Sequence, residues 1–313
     1  MENNINKRII DIINKNDIII TDGGLETTLI YKYNIELPYF SCINLLKTDS
    51  GRDIIYNCLL NYVNISEKYN VNIIIETPTW RCSKKWCKLL NCENSDISKI
   101  NREAVNIVKS IKKNSDKIII SGNIGPIDDG YVINNKLTIK ELKEYHSEQI
   151  YILANENVDI ISAFTINYVE EAMGITLVCK NINIPLVISF TLNIDGKLPS
   201  GMTLEDSIKY IDINTNYYPM YYMINCAHPK HFISLFKNNN SDWIKRIKGI
   251  RSNASDKSHE ELNNSTELDI GNIVELSNYC KNIRKENKHI NIFGGCCGTD
   301  ENHVEEILIK CLN

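Results

Sequence analysis

The amino-acid sequence predicts an α/β fold, a (β/α)8 TIM barrel formed by a single domain over residues 1–313. Eight short, mostly β-branched apolar runs recur along the chain, and segments with helical spacing separate them. Such runs are typical of parallel strands buried on both faces, and their alternation with helices favours a parallel sheet. A single barrel typically needs ~250 residues, which this chain exceeds. The predicted strands are Ile18–Thr21, Val71–Glu76, Lys117–Gly122, Val158–Ser162, Pro185–Phe190, Met220–Asn225, Ile247–Arg251 and Ile290–Phe293.

The segments between the predicted strands carry apolar residues three and four positions apart, the spacing of a helix with one buried face. Leu59, Tyr62 and Val63, before the second strand, are an example. A doubly wound open sheet has the same alternation of strands and helices and is the alternative fold.

The N-terminal segment Met1–Asn16 predicts an amphipathic helix with Ile5, Ile9, Ile12 and Ile13 on one side. It has neither the apolar block nor the small-residue cleavage site of a signal peptide, so we expect a cytoplasmic protein. No apolar run reaches the ~18 residues of a membrane span, and the net charge of -4 argues against a nucleic-acid partner. The sequence makes no prediction of oligomeric state.

The cysteines give the strongest functional signal. In a reducing compartment the eleven cysteines are expected to be free thiols or metal ligands rather than a disulfide framework. Cys296 and Cys297 follow the eighth predicted strand in a glycine-rich frame, where two thiolates would occupy two corners of a tetrahedral zinc site. Cys226, at the end of the sixth strand, is the best-placed third ligand. Three protein ligands leave one position open, which is the catalytic arrangement.

The other cysteines are interpreted as small buried apolar residues, since they lie in apolar or helical stretches or match no usual zinc spacing. Several polar residues and glycines end or follow predicted strands, as the cysteine pair does. Because active sites of such barrels lie at the carboxyl ends of the strands, we expect these residues on one rim. They are Asp22, Gly23, Gly24, Glu76, Asn123, Asn225 and Asn253.

Four segments resemble the homocysteine S-methyltransferases, which include betaine- and S-methylmethionine-dependent enzymes. They are Asp22-Gly23-Gly24-Leu25 with Thr27, Gly122 to Pro126, Asn225-Cys226, and Gly294 to Thr299. Two further segments, Tyr222 to Pro229 and Arg251 to Ser255, look closest to an uncharacterised microbial branch of that family.

The resemblance implies a Zn2+ cofactor held by Cys226, Cys296 and Cys297. It also implies that Asp22 and Gly23 lie beside an amino-acid substrate, and Asn225 is a further expected substrate contact. No catalytic residue is expected beyond the substrate thiolate that zinc activates. Of the histidines, only His228 is a candidate for a role at the site, while His231, His259 and His303 are interpreted as ordinary surface or helix residues.

One departure from the family's pattern concerns substrate binding. The family usually has Glu-Thr just after the fourth strand, where the carboxylate helps to hold the substrate ammonium, whereas this chain has Phe164-Thr165. Glu76 is a candidate for the missing carboxylate. The alternative is that Glu76 pairs with Arg81.

The expected activity is transfer of a methyl group from a small sulfonium or ammonium donor, with S-methylmethionine favoured, to homocysteine, which gives methionine. The alternatives are a methyltransferase that acts on a different small thiol or selenol, and a non-catalytic zinc- or thiol-binding relative. A metal-dependent hydrolase is disfavoured because the chain lacks a histidine cluster with zinc-ligand spacing.

Overall fold

The structure, a computed structural model, describes residues 2–113, 115–134, 136–263, 265 and 267–313. Within them, eight parallel strands close into a barrel in sequence order, and β8 pairs with β1. The predicted (β/α)8 barrel is confirmed, and the open-sheet alternative is wrong. The strands are β1 (Ile19–Thr21), β2 (Asn72–Glu76), β3 (Ile118–Ile124), β4 (Ile160–Ile166), β5 (Leu186–Phe190), β6 (Tyr221–Ala227), β7 (Ile247–Ser252) and β8 (Ile292–Gly295).

Helices surround the barrel and several are closed by side-chain caps. The Thr138 side chain, for example, accepts a hydrogen bond from the backbone N–H of Glu141, and the Glu141 side chain accepts one from the backbone N–H of Thr138. These bonds satisfy N–H groups that have no partner within the helix. The α-helices are α1 (Glu2–Asn14), α2 (Leu25–Thr27), α3 (Ile43–Leu46), α4 (Asp49–Tyr69), α5 (Lys84–Leu89), α6 (Asn94–Lys112), α7 (Ile139–Asn155), α8 (Val169–Ile182), α9 (Leu204–Thr215), α10 (Asp242–Lys245), α11 (His259–Asn263), α12 (Ile273–Glu286) and α13 (Glu301–Leu312). Single turns of π or 3-10 helix span Thr28–Lys32, Pro38–Phe40, Pro229–His231 and Ile233–Phe236.

The apolar runs of the strands serve two cores. Because neighbouring side chains on a strand point to opposite faces, Ile74 packs inside the barrel while Ile73 and Ile75 pack against the helices. This is why the strands read as continuous rather than alternating apolar runs. No helix in the described part of the chain combines the length and apolar character that a membrane crossing requires.

Helix α1 closes the amino-terminal end of the barrel, which accounts for the amphipathic pattern of the first segment. Ile9 and Ile13 are buried in the inner core with Ile19 and Tyr221, each of which begins a strand. The side chain of Asn291 donates a hydrogen bond of 2.9 Å to the carbonyl of Ile13, which ties the helix to the start of β8. The side chain of Ile5 lies outside the described residues.

Candidate metal centre and substrate cavity

The three cysteines predicted as ligands converge at the carboxyl end of the barrel. Cys226 belongs to β6, and Cys296 and Cys297 directly follow β8. Their sulfur atoms all lie within 4.8 Å of one another, and no other group of this kind occurs among the described residues. The two strands are separated only by β7 in the barrel. The sequence separation of about seventy residues therefore becomes a short distance in space.

Cys226 and Cys296 are joined as a disulfide, with 5.4 Å between their Cα atoms, and Cys297 is a free thiol. These two cysteines, both predicted as metal ligands, are therefore bonded to each other instead of free. The physical reason is proximity, since the barrel brings the two sulfurs within bonding range. A disulfide and a three-thiolate ligand set use the same sulfur atoms, so metal binding requires this pair in its reduced form.

Unusual backbone conformations present the cysteine cluster. Cys226 and Thr165 both have positive φ angles, of 52° and 62°, at irregularities in the pairing of β6 and β4. Such conformations cost about 1–3 kcal/mol in non-glycine residues and persist where the surroundings enforce them. Gly24 packs so closely against the carbonyl of Cys296 that a Cβ atom would collide with it, and Gly298 has a φ of 79°.

Asn225 links the distorted ends of β4 and β6. Its side-chain oxygen accepts hydrogen bonds from the backbone N–H of Thr165 at 2.9 Å and from the Ser189 hydroxyl at 2.7 Å. Its amide nitrogen donates to the Thr165 hydroxyl at 2.9 Å and lies 3.8 Å from the Cys296 sulfur. Every polar atom of this side chain thus has a protein partner, which makes Asn225 a positioning residue for the cysteine cluster.

A buried ion cluster lies beside the cysteines. Arg251, at the end of β7, places Nη2 2.5 Å from Asp22 Oδ1 and Nη1 3.6 Å from Glu76 Oε1. The backbone N–H of Glu76 donates to Asp22 Oδ2 at 3.2 Å. All three side chains are less than a tenth exposed. Glu76 therefore pairs with Arg251 and not with Arg81, whose described ion-pair partner is Asp129 at 4.0 Å.

The charges of this cluster depend on burial. Burial raises the pKa of Glu76 to about 8, the Asp22 carboxylate adds to this increase, and Arg251 opposes it. Burial raises the pKa of Asp22 as well, against the opposing effect of Arg251. Burial thus favours the neutral form of both carboxyls, and the Arg251 guanidinium favours their charged form.

Phe164 lies in the inner core at the end of β4, where the family resemblance predicts a carboxylate. The guanidinium carbon of Arg251 lies over its ring, 4.8 Å from the ring centroid. A cation over an aromatic face is attracted by the ring quadrupole. The site therefore holds a cation next to the position where the resemblance predicts the substrate ammonium.

A cavity of about 320 Å³ opens beside the cysteine cluster, at the lower end of the usual range for small-ligand sites. Gly23, Asn225 and all three cysteines line it, together with Arg251. Asp22 and Glu76 do not belong to its lining. Aromatic side chains form much of the remaining wall: Tyr31, Phe40, Trp80, Tyr131 and Phe164.

Two lining residues, Tyr131 and His259, were not recognised from the sequence. Tyr131 lies beside Cys297 and lowers the pKa of its thiol, and the Tyr131 ring stacks on His259 with 3.4 Å between centroids. Burial lowers the pKa of His259 to about 4, so this ring is neutral at pH 7. His259, interpreted from the sequence as an ordinary surface or helix residue, is the first residue of helix α11 and also lines the cavity. The histidine singled out from the sequence, His228, caps a 3-10 turn and does not line the cavity.

Glu26 and Arg251 are two further lining residues that were not predicted as site residues. A signal existed for Arg251, because residues of β7 alternate between the two faces of the strand. Arg251 pairs with Asn225 in register and shares its inward face, where a charged residue at a strand end indicates a functional site. No comparable pattern marked Glu26, which follows β1 in the short helix α2.

The donor set is compatible with zinc. Three sulfur ligands from two strand ends that lie close together match a zinc site with three protein ligands and one open position. Burial raises the pKa of the Cys297 thiol to about 11, and a metal would have to displace its proton.

A family model described as homocysteine S-methyltransferase matches residues 19–310, nearly the whole chain. The chain belongs to the homocysteine S-methyltransferase family. The family and the barrel together indicate a methyltransferase that acts on a small thiol. No curated protein matches the sequence.

Among solved structures, the chain resembles the homocysteine methyltransferase MmuM from Escherichia coli in three forms, each at 13% sequence identity. The metallated form has a TM-score of 0.76 and the match covers 96% of this chain and 98% of that chain. The oxidized form has a TM-score of 0.74, with 94% and 96% covered, and the apo form 0.67 with the same coverage. At this identity the likeness concerns the fold, and the membership in the family rests on the family model.

Proposed function

We propose that this protein is a zinc-dependent S-methyltransferase that transfers a methyl group from a small sulfonium or ammonium donor to homocysteine, giving methionine. The observation that carries the proposal is the convergence of Cys226, Cys296 and Cys297 on the wall of a cavity. A buried structural zinc site would not need an adjacent cavity of ligand size.

Cys226, Cys296 and Cys297 would hold the metal, with one coordination position left for the substrate. Zinc held by these three thiolates would favour the deprotonated, nucleophilic form of a substrate thiol. The contribution of the chain itself is to orient the two reactants, which can account for ~7–11 kcal/mol of the barrier reduction. Gly23 and Asn225, proposed substrate contacts that line the cavity, border the place where the thiol would lie.

The aromatic wall supports a cationic methyl donor. Trp80 and Tyr131 line the cavity, and aromatic faces attract sulfonium and quaternary ammonium groups. After the transfer the donor leaves as a neutral thioether or amine, which such a wall binds less tightly. We propose S-methylmethionine as the donor because it is small and carries a sulfonium group.

We also propose a cytoplasmic location, because a thiolate ligand set requires a reducing compartment. The proposed partners are the thiol and the methyl donor, both small molecules.

The test is a methyl-transfer assay. Reduced, zinc-loaded protein is incubated with homocysteine and each of a panel of methyl-labelled donors, which includes S-methylmethionine, S-adenosylmethionine and betaine. Labelled methionine should form with one small donor and should be absent with the Cys296→Ser variant. The proposed activity is wrong if no donor in the panel yields a methylated thiol.

A second candidate function is methylation of a different small thiol or selenol. Phe164 and Arg251 favour it, because together they replace an expected carboxylate with a cation. Replacing homocysteine by other thiols in the same assay distinguishes the two acceptors. Zinc binding without any transfer would indicate a non-catalytic relative.

A further inference from the structure

Glu26 is a carboxylate in the cavity without a cationic partner. It is half-buried, and its hydrogen bonds are with its own backbone and with the thiol of Cys42, which donates at 3.7 Å. Burial raises the pKa of Glu26, and Arg251, which does not form an ion pair with it, lowers this pKa from a distance. None of the ion pairs found among the described residues includes it. A carboxylate in such a place is stabilised by a cation that a ligand brings.

Asn253 is a second acceptor in the same cavity. The residue is 3% exposed, it lines the cavity, and its side-chain oxygen has no hydrogen-bond partner among the described residues. Leaving a buried acceptor unsatisfied destabilises the folded protein, and a ligand that donates a hydrogen bond removes this cost.

Glu26 and Asn253 flank the cysteine loop from two sides. The neighbour of Glu26, Thr27, accepts a hydrogen bond from the backbone N–H of Gly298 at 3.1 Å. The neighbour of Asn253, Ala254, donates its backbone N–H to the carbonyl of Cys297 at 3.0 Å. Both acceptors are therefore anchored to the segment that carries two of the three sulfurs.

The two acidic residues at the ends of β1 and β2 are less suited to a substrate cation. Asp22 and Glu76 do not line the cavity, and Arg251 already lies within 4 Å of both. A substrate ammonium there would meet an arginine before it met either carboxylate.

We infer that Glu26, assisted by Asn253, binds the ammonium group of the acceptor thiol. An ammonium has three N–H donors, which match a carboxylate and an amide oxygen. This inference rests on the proposed function, because it assumes that the thiol binds at the cysteine cluster.

The test measures binding rather than turnover. Reduced protein is loaded with Co2+ in place of zinc, so that a thiol joining the cysteine ligands changes the visible absorption spectrum. Homocysteine is compared with 4-mercaptobutyrate, which has the same chain without the ammonium, and with 3-mercaptopropylamine, which lacks the carboxylate. The ratio of the dissociation constants of 4-mercaptobutyrate and homocysteine reports ammonium recognition separately from folding and metal content.

The wild-type protein should prefer homocysteine over 4-mercaptobutyrate, and Glu26→Gln should reduce this preference by about tenfold to a hundredfold, as expected for a hydrogen bond to a charged group. Asn253→Ala should reduce it in the same direction. Binding of 3-mercaptopropylamine should weaken in Glu26→Gln as well. Glu36→Gln, which changes an exposed residue outside the cavity, is the matched control and should leave the preference unchanged.

The inference is overturned if Glu26→Gln keeps the wild-type preference, or if Glu76→Gln is the variant that removes it. If no thiol changes the spectrum of the wild-type protein, the proposed function fails and the inference fails with it. Thiol binding with an unchanged preference in Glu26→Gln removes the inference alone and leaves the proposed function intact.

Discussion

The guanidinium group of Arg251 lies over the ring of Phe164 and binds the carboxylate of Asp22 with the same side chain. Arg251 and Phe164 therefore form one unit. The Phe164 ring occupies the place of an expected carboxylate, and its face packs against the Arg251 guanidinium, which balances the charge of Asp22. Because this unit is buried, it should affect the stability of the barrel as well as the choice of substrate.

Removing the cation should destabilise the protein. Arg251→Met keeps an unbranched apolar stem but leaves Asp22 as an unpaired buried charge, and breaking such a pair costs ~3–5 kcal/mol. The free energy of unfolding, measured by urea denaturation at pH 7, should fall by about this amount. The double variant Arg251→Met with Asp22→Asn should recover most of the loss. A change below ~1 kcal/mol in the single variant would contradict a role of Arg251 in balancing Asp22.

The raised pKa of Glu76 should appear in the pH dependence of stability. In the folded protein this carboxyl keeps its proton up to about pH 8, whereas in the unfolded chain it loses it near pH 4.5. Its stabilising contribution is therefore complete below pH 4.5 and is lost as the pH rises through about 8. The free energy of unfolding should decrease over this window by up to about 1.4 kcal/mol per pH unit.

Glu76→Gln cannot titrate, so its free energy of unfolding should decline less steeply than that of the wild-type protein between pH 5 and 8. The exposed control Glu36→Gln should keep the wild-type slope. Parallel curves for Glu76→Gln and wild type, measured by denaturation at several pH values, would show that Glu76 is ionised in the folded state.

The metal prediction concerns stoichiometry. After reduction of the Cys226–Cys296 disulfide, the protein should bind about one zinc per chain, the value for a single site. Cys296→Ser should lose most of the metal, since it removes one of three ligands. Cys92→Ser, at a half-buried cysteine outside the cluster, should retain it. Metal analysis after gel filtration provides the measurement, and full zinc retention in a triple variant of the three ligands would exclude this site.

Asn225 should affect the metal without binding it. Asn225→Ala removes the acceptor of the Thr165 N–H and the Ser189 hydroxyl, and we expect a tenfold to hundredfold loss of zinc affinity, about the effect of removing an outer hydrogen-bond partner. Competition with a chromophoric chelator measures the affinity. Asn214→Ala changes an exposed asparagine and serves as the control. An unchanged zinc affinity in Asn225→Ala would mean that the backbone alone holds Cys226 in place.

Much of the fold could be predicted because its signal is local. Runs such as Ile73 to Ile75 are apolar on both faces of the strand. This pattern can be recognised in the sequence without knowing which strands and helices pack against the run. The cysteine cluster could also be predicted, since parallel strands in a barrel end at one rim. The partner of Arg251 could not be predicted. Asp22 lies more than two hundred residues away, and only the closure of β8 onto β1 brings the two together.

The disulfide and the backbone strain at Thr165 and Cys226 also escaped prediction. Threonine and cysteine do not favour a positive φ, and contacts with distant parts of the chain, such as the hydrogen bond from Thr165 to Asn225, hold this conformation. The position of the Glu26 side chain could not be predicted either, because it also depends on tertiary packing. The sequence places it one turn beyond β1, but only packing decides whether a side chain there reaches solvent or a cavity.

Helix α1 has a consequence for the order of events in catalysis. Because Ile9 and Ile13 fill the amino-terminal end of the barrel, the two reactants of the proposed transfer share the entrance at the opposite end. Whichever reactant lies against the cysteines must arrive first, and the product formed from it must depart last. We therefore expect sequential kinetics with a compulsory order, in which the methylated thiol competes with free thiol and the spent donor does not.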